Sequence, residues 1–531
     1  MKKIYNLCLL ALSLVVISSC DDGFDALNTS KVAATTNDPV VMLNSSIISS
    51  SPAGLNPGSA TSTLSYESAL VQQIVASNGG VIAGGNWNQK NIGNTPLNWI
   101  NYYQNVIRFT NDVISRTKTD ANRTNLYNMA RIIQAHAFMI LTDTYGDIPY
   151  TEAGGAYTTS NFFPKYDTQQ SIYDGIISEL TQAVTNLDAS AKVELSDVLY
   201  KGNITNWKKF GNSLLLRAGM RLSKANATKA QATVAIALTA PGVILVNADN
   251  AFVAHDGNFS NGIAATVTGT EYATYYLAQP FVDALKNSND PRLTSIAIRY
   301  VGAASGSDQN TAIATPTATL YTDKTAGAQY GMPVGSDDNS ANTAAALLPG
   351  GGKYQAFSQM DRNRFIKKGT PGYLVTAAQC NLLLAEATFR GWATGTAAAT
   401  YFTAGITAHM NQMASYDPNS AISATAISNY VTDPANMLTA GTELQQIGYQ
   451  YWIASFLDGP EAYASFRRTG FPALAPNPYP GSEVKISDGF DGFVYRLTYP
   501  SSEIAVNPAN VQAAIAAQGP DNLATKMWLF K

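Results

Sequence analysis

The sequence predicts a mainly α-helical fold, a tetratricopeptide-like solenoid of helix pairs overlaid by long irregular loops. Two observations predict it. Residues 97–224 and 376–468 place apolar side chains at helical spacing in consecutive segments, and long helices joined by short turns pack as antiparallel neighbours. Residues 250–372 and 471–508 are instead rich in glycine, proline and short polar residues, which interrupt the helical pattern.

Four helix pairs are predicted from apolar periodicity. In chain order they are 97–118 with 122–145, 169–187 with 205–223, 376–391 with 397–414, and 442–457 with 461–468. Thr376 and Gln379 have the spacing of a capping box, which begins a helix, and Gly391 is the kind of residue that ends one. Repeated pairs of this kind favour a solenoid, although the sequence shows no regular repeat length.

The two loop-rich regions are predicted to form the ligand face. Within residues 250–372 we expect one helix, at 279–286. Loops of this length in a compact protein are usually functional. Laid across a rigid helical scaffold, they commonly make a binding surface.

The amino terminus has the pattern of a bacterial lipoprotein signal. Two lysines precede an apolar run over residues 4–17, which is too short to span a bilayer, and two serines directly precede Cys20. This pattern resembles a lipobox, so we expect lipidation of Cys20. The alternative is cleavage by an ordinary signal peptidase, with Cys20 uninvolved.

The predicted organisation follows from this signal. We expect a signal peptide at 1–19, a lipidated flexible tether at 20–40, and a single domain at 41–531. No later segment is long and apolar enough to predict a transmembrane helix.

Charge and cysteine content exclude several classes of function. Only 13% of residues are charged, with 34 Lys and Arg against 37 Asp and Glu, and no basic block predicts a nucleic-acid surface. With Cys8 removed and Cys20 acylated, Cys380 is the one remaining thiol, so no intramolecular disulfide is expected. Cys380 is in phase with Ala377 and Leu384, which predicts a core position.

The motifs that would support catalysis are missing. The three histidines, His136, His255 and His409, are isolated, and the chain has no zinc-binding pattern and no P-loop. Asp143 and Asp147 lie close together, but beside residues typical of a helix end. We therefore expect no enzyme, no cofactor and no metal site. The chain has enough Asp and Glu residues to form a carboxylate pair for glycoside hydrolysis, but no sequence pattern identifies such a pair.

Aromatic residues beside flexible polar ones are the candidate ligand contacts. Such rings can lie flat against the C–H face of a sugar while amides and hydroxyls bind its hydroxyl groups, and they can equally pack peptide side chains. For each ring, a position in the core is the competing interpretation. The candidates are Trp87, Asn88, Tyr272, Tyr275, Tyr276 and Tyr330.

Several segments together resemble the SusD/RagB family of nutrient-binding outer-membrane lipoproteins. Each motif is weak alone, but their shared order is specific and covers nearly the whole chain. The segments are 141–150 (LTDTYGDIPY), 207–217 (WKKFGNSLLLR), 289–293 (NDPRL), 384–387 (LAEA), 467–472 (RRTGFP) and 495–500 (YRLTYP). Most of these residues are interpreted as structural. Arg467 or Arg468, for example, is expected to pair with an acid such as Glu461.

The resemblance implies a tetratricopeptide-like scaffold on the outer surface of a Gram-negative outer membrane. The aspartates after Cys20 resemble the surface-export signal of Bacteroidetes lipoproteins. Family members look like lids over a SusC-like TonB-dependent transporter, which would be the partner. The chain would bind and pass on an oligomeric nutrient rather than catalyse a reaction. We favour an oligosaccharide as ligand. The alternatives are an oligopeptide, a surface glycosidase activity, or a purely structural surface protein.

Overall fold

The computed structural model describes residues 37–54, 57–77 and 83–531. Helices dominate it, in agreement with the predicted fold class. In chain order the α-helices are α1 (Pro39–Ser50), α2 (Pro57–Ser62), α3 (Ser68–Leu70), α4 (Ala83–Trp87), α5 (Leu97–Asn101), α6 (Arg108–Thr117), α7 (Thr124–Tyr145), α8 (Ala156–Thr159), α9 (Gln169–Asn186), α10 (Ile204–Arg221), α11 (Ala227–Ala237), α12 (Gly262–Thr268), α13 (Gln279–Asn287), α14 (Arg292–Ile296), α15 (Gly306–Ala314), α16 (Asp338–Ala345), α17 (Ala377–Phe389), α18 (Ala398–Tyr416), α19 (Ala424–Thr432), α20 (Glu443–Ala454), α21 (Gly459–Thr469), α22 (Ser501–Val506) and α23 (Pro508–Gln518).

Short strands form small antiparallel ribbons among the helices. The strands are β1 (Ile74–Ala76), β2 (Ala251–Val253), β3 (Tyr275–Leu277), β4 (Ala297–Val301), β5 (Tyr321–Asp323), β6 (Gln359–Met360) and β7 (Gly372–Val375). β1 pairs with β3, β2 with β7, and β4 lies between β5 and β6. The ribbons bring the loop-rich regions together with segments from the rest of the chain.

The predicted helix pairs are present and pack as neighbours. α6 packs against α7, α9 against α10, α17 against α18, and α20 against α21. The segment predicted as one helix at 97–118 runs through α5, a π-helical stretch at Tyr102–Ile107, and α6. Stacked antiparallel pairs of this kind are the tetratricopeptide-like architecture that the sequence predicts.

Local caps confirm where the third pair begins. The side chain of Thr376 accepts a hydrogen bond from the N–H of Gln379, and the Gln379 side chain accepts one from the Thr376 N–H. This reciprocal capping box satisfies two backbone donors at the start of α17. After α17, Gly391 adopts a left-handed conformation with φ of +74°, which glycine tolerates best.

The loop-rich region 250–372 holds more regular structure than predicted. The expected helix is α13, but α12, α14, α15 and α16 lie there as well. Each of these four helices is at most nine residues long, which is too short for a pattern of apolar residues to identify it. Their starts depend on single polar caps, such as Asn261 for α12, Ser305 for α15 and Asp337 for α16.

A buried network of charges joins the two helical regions. Arg221 on α10 donates to Asp143 on α7 at 3.0 Å and to Glu461 on α21 at 2.5 Å, and Arg217 pairs with Glu461 at 3.0 Å. All four side chains are at most 5% exposed. Although burial alone would raise it, Arg217 and Arg221 hold the pKa of Glu461 below its usual value. The network therefore fixes α10 between α7 and α21.

The two arginines at the end of α21 have other partners than predicted. Arg468 binds both oxygens of Glu386, at 2.6 and 2.7 Å, so its acid lies on α17 and is not Glu461. Arg467 lies over the ring of Tyr463 at 3.6 Å and donates to the backbone carbonyl of Tyr495. Glu461 is already occupied by the arginines of α10, which the sequence pattern does not reveal.

Two groups with reactive side chains are core residues. Cys380 is 1% exposed and free, as predicted, and burial raises the pKa of its thiol to about 11. His136 is buried against Phe210, and burial lowers its pKa to about 3, so the ring is neutral. Both side chains pack and do not carry chemistry.

The amino-terminal predictions lie outside the described residues. These are the signal peptide at 1–19, Cys20 and most of the tether at 20–40. In the part of the chain that the structure describes, no helix combines the length and apolarity needed to cross a membrane.

Glu67 is a buried carboxyl group in a π-helical segment, Thr63–Glu67. It is fully buried, and one oxygen accepts hydrogen bonds from Ser62 at 2.8 Å and Asn98 at 2.5 Å. Within the described residues, its other oxygen has no hydrogen-bond partner. Burial is the main reason that its pKa is raised to about 7 from an ordinary 4.5.

We expect replacement of Arg221 by Met to destabilise the fold by about 3–5 kcal/mol, because the substitution leaves buried carboxylates without a full complement of partners. Urea unfolding of the purified protein measures this loss. Arg116→Gln is the control, since the Arg116 pair with Asp112 is exposed and should contribute about 1 kcal/mol or less. Equal losses in the two variants would contradict a structural role for the buried network.

Glu67 predicts a pH dependence of stability. Below about pH 4.5 the carboxyl group is protonated in both the folded and unfolded chains. Between about pH 4.5 and 7 only the folded chain keeps the proton, so the free energy of unfolding falls as pH rises, by about 3 kcal/mol in total, and then levels off.

The Glu67→Gln variant removes this titration and should therefore gain stability relative to the parent as pH rises from 4.5 to 7. Chemical unfolding across this pH range measures the difference. Asp283→Asn, on the half-exposed face of α13, is the matched acid-to-amide control. A constant difference between Glu67→Gln and the parent at every pH would contradict the assignment.

Candidate ligand-binding face

A pair of stacked aromatic rings lies at the surface where three distant segments meet. Trp87, at the end of α4, stacks on Tyr479 with ring centroids 4.6 Å apart and planes 9° from parallel. Both side chains are half-exposed. Each ring covers one face of the other, and the exposed remainder of this stacked pair is an apolar surface, which we call the aromatic platform.

Hydrogen bonds to loop backbone hold the platform in place. The Trp87 indole donates to the carbonyl oxygen of Ser336 at 3.2 Å, and the Asn86 amide donates to the same oxygen at 2.8 Å. The Asn477 amide donates to the carbonyl oxygen of Asn86 at 2.7 Å, while its own oxygen accepts from the Tyr479 N–H. Both rings are therefore positioned by the same loops, so the platform is preorganised.

Asn88 is a buried residue that follows Trp87 and binds the backbone of a neighbouring loop. It is 5% exposed and has a left-handed backbone with φ of +50°. Its amide donates to the carbonyl oxygen of Gly492, and its carbonyl oxygen accepts from the Glu483 N–H. The prediction that Asn88 contacts ligand does not fit this burial, because its polar groups already bind the loop that carries Tyr479.

α4 packs unusually close to the π-helical segment that ends at Glu67. A Cβ atom at Gly85 would lie 2.3 Å from the carbonyl oxygen of Ser65, and one at Gly84 would overlap the ring of Tyr66. Only glycine permits this approach. Gly84 and Gly85 therefore allow α4, which carries Trp87, to lie close to the π-helical segment.

Tyr330 lies on the same loop as Ser336, but two cationic side chains lie over its ring. Its half-buried ring has the guanidinium of Arg299 at 5.0 Å and the Nζ of Lys286 at 4.2 Å from its centroid. Cation–π contacts of this kind use the faces of the ring. Arg299 and Lys286 therefore already contact the ring of Tyr330.

Tyr272 belongs to a separate cluster. Its half-buried ring lies under the guanidinium of Arg362, 5.1 Å away, and Arg362 also donates to the hydroxyl of Tyr300. The contacts found within the described residues do not connect this cluster to the aromatic platform.

Tyr275 and Tyr276 are core residues, which corrects the prediction that they contact ligand. They are 4% and 1% exposed and lie on β3, which pairs with β1. The Tyr275 hydroxyl lies 3.4 Å from that of Ser65, and the Tyr276 hydroxyl donates to the Ala273 carbonyl oxygen. Neither ring has a face open to a ligand.

Tyr479 is the member of the platform that the sequence did not single out. It lies between two prolines within the loop region 471–508 that was expected to form part of the ligand face. Its pairing with Trp87 depends on a contact between residues far apart in the chain, which no local pattern reveals.

The charges beside the platform serve the fold. Asp337 accepts hydrogen bonds from the Ser340 hydroxyl and N–H, which lowers the pKa of its carboxyl group and caps α16. Glu483 accepts from the N–H of Lys90 at 2.8 Å. Among the described residues, no three His, Cys, Asp or Glu side chains are grouped as metal ligands. The face is suited to neutral hydrogen bonding and ring stacking.

Comparisons with known proteins give consistent matches. Residues 36–500 match a family model named SusD-like and described as starch-binding and associating with the outer membrane. The curated proteins contain no match to the chain.

Solved structures match over most of their length and of this chain. A chitin-binding protein is 28% identical, with a TM-score of 0.78, covering 93% of this chain and 100% of its own. A SusD-like protein from Bacteroidetes is 27% identical with a TM-score of 0.77 and the same coverage. A chitin-binding SusD homologue from Flavobacterium johnsoniae is 22% identical, with a TM-score of 0.74, covering 93% and 99%; at that identity it shows the fold alone.

Proposed function

This chain belongs to the SusD-like family, and on that premise we propose that it is a surface lipoprotein that binds an oligosaccharide and delivers it to a SusC-like TonB-dependent transporter. Membership agrees with the resemblance seen in the sequence motifs and with the tetratricopeptide-like fold.

The observation that carries the ligand assignment is the aromatic platform. Two stacked, partly exposed rings held by fixed loops offer an apolar surface to a ligand. The C–H face of a pyranose ring packs against such a surface, while its hydroxyl groups need neutral donors and acceptors. The chitin-binding relative at 28% identity supports a carbohydrate of this kind.

Neutral polar groups around the platform favour a sugar over a charged ligand. Gln89, half-exposed beside Trp87, has its amide directed to the carbonyl oxygen of Gly481 at 2.8 Å. Asp337, half-buried after Ser336, is engaged as a helix cap, and the exposed Glu483 accepts from the Lys90 N–H. An oligopeptide would use the same rings and remains the second candidate ligand.

We infer a binding role without catalysis. The family model describes binding and association with a membrane. Both acids that border the platform are engaged, since Asp337 accepts from the Ser340 N–H and Glu483 from the Lys90 N–H. A hydrolase would need a proton donor and a base facing the ligand.

The anchor and the partner complete the proposal. Lipidation of Cys20 would attach the chain to the outer membrane through acyl chains. A carbohydrate held at the surface reaches the cell interior only through a transporter, and the family description places its members at the outer membrane. The proposed partner is therefore a SusC-like transporter in the same membrane.

We expect Trp87→Ala and Tyr479→Ala each to weaken oligosaccharide binding at least about tenfold, because each removes half of the stacking surface. Titration calorimetry with chito-oligosaccharides and malto-oligosaccharides measures the affinities. Trp392→Ala is the matched control, since Trp392 is a half-exposed indole that follows α17 and lies near Arg390.

Three results would contradict the ligand assignment. Unchanged affinity in both platform variants would remove the platform from the binding site. Tighter binding of oligopeptides than of sugars would favour the second ligand. New reducing ends after incubation with polymeric glycans would favour a glycosidase.

We expect the tagged full-length chain to co-purify with a TonB-dependent transporter from native membranes. Cys20→Ala should release the chain from the membrane fraction, because the variant cannot be acylated. Mass spectrometry of the purified complex and membrane fractionation measure the two effects. Recovery of the lipidated chain without any transporter would contradict the partnership.

A further inference from the structure

A second concave surface lies on the helical scaffold, formed by different residues from the aromatic platform. This groove has a volume of about 1040 Å³ and runs along α6 and α7, closed on one side by the loop from Tyr150 to Asn161. Its walls come from rigid helices rather than from long loops.

Amide contacts fix the wall between α6 and the loop. Gln134 on α7 donates to Asn111 on α6, and Asn111 donates to the carbonyl oxygen of Ala153 at 2.7 Å. Gly154 passes so close to Asn111 that a Cβ atom would lie 2.2 Å from its amide nitrogen. The groove is therefore formed before any ligand binds.

The acids that line the groove all have partners. Asp112 pairs with Arg116, and Glu179 pairs with Arg131 at 2.7 Å. Glu152 accepts from the Asn161 amide and from the Lys165 N–H. Asp112 and Glu179 are thus paired with arginines, whereas Glu152 accepts only from uncharged N–H groups.

Two cations in the groove lack a counter-charge. Within the described residues, the exposed side chains of Arg108 and Lys118 make no ion pair and no hydrogen bond, and Arg108 only lies over the ring of Phe109 at 4.7 Å. They stand at the two ends of α6, about 15 Å apart along its axis at 1.5 Å per residue. Four cations and three acids line the groove, so its lining has a formal charge of +1 on a chain with net charge −3.

The aromatic rings of the groove are less suited to stacking on a sugar than the rings of the aromatic platform are. Arg108 covers one face of Phe109, Arg131 lies 5.2 Å from the ring of Tyr127, and Phe138 packs edge-on with Tyr150. Their remaining edges can contact apolar side chains. An extended peptide supplies such side chains, together with carboxylates at set intervals.

We propose that this groove binds an extended acidic peptide segment of a partner protein. A strand rises about 3.3 Å per residue and its side chains alternate between two faces, so carboxylates four residues apart lie on one face, about 13 Å apart, and would reach both Arg108 and Lys118. Helical solenoids commonly bind partners on extended concave surfaces. The inference is independent of the proposed carbohydrate role, because the two surfaces share no residue.

The test uses the full chain and fluorescein-labelled peptides of about ten residues, each with two aspartates four positions apart and apolar residues between them. Fluorescence anisotropy measures binding. We expect binding that weakens as salt is added and is lost when both aspartates are replaced by asparagine. The double variant Arg108→Gln, Lys118→Gln should bind at least about tenfold more weakly.

The control is the double variant Lys353→Gln, Lys368→Gln, which removes two exposed charges elsewhere and should bind like the parent. Circular dichroism checks that every variant is folded. The proposal is overturned by equal binding of the asparagine peptides, by full binding to the Arg108 and Lys118 variant, or by no peptide binding tighter than about 1 mM. Binding of oligogalacturonate in place of the peptides would also overturn it.

Discussion

The structure depends on the buried ion network centred on Arg221. A helix pair can bury its apolar faces in many registers, but a guanidinium removed from water requires its carboxylates at hydrogen-bond distance. Arg221 and Arg217 on α10 meet Asp143 from α7 and Glu461 from α21, and hydroxyl groups of Tyr173 and Tyr451 bind the same acids. Five helices drawn from both helical regions are thereby held in one arrangement.

That scaffold supports two surfaces of different character. The aromatic platform is built from loops and consists of rings and neutral amides, with its nearby acids already engaged. The groove along α6 and α7 is built from helices and has two cations without counter-charges. The rigid element between platform and core is the π-helical segment that contacts α4 at Ser65 and ends in Glu67.

Sequence patterns predicted what depends on local spacing. The long helices, the Thr376 capping box and the core position of Cys380 all follow from residues a few positions apart, and all are present. The short helices among the loops were missed because a helix of two turns has too few apolar positions to show a period. Among the candidate site residues, Trp87 lies at the surface, whereas Tyr275 and Tyr276 lie in a strand that pairs with β1. Tyr479 and the true partners of Arg468 depend on long-range contacts.

The platform draws its two halves from opposite ends of the chain. The amide of Asn477 and the carbonyl of Asn86 that it binds are 391 positions apart. A partly folded or truncated chain therefore has no platform at all, because neither ring acquires its neighbour until both ends have packed on the scaffold. Any ligand that bridges the rings then binds the native state alone, and its binding free energy adds to the stability of the entire molecule. Occupied and empty receptors should consequently differ in how readily they unfold and are degraded at the cell surface.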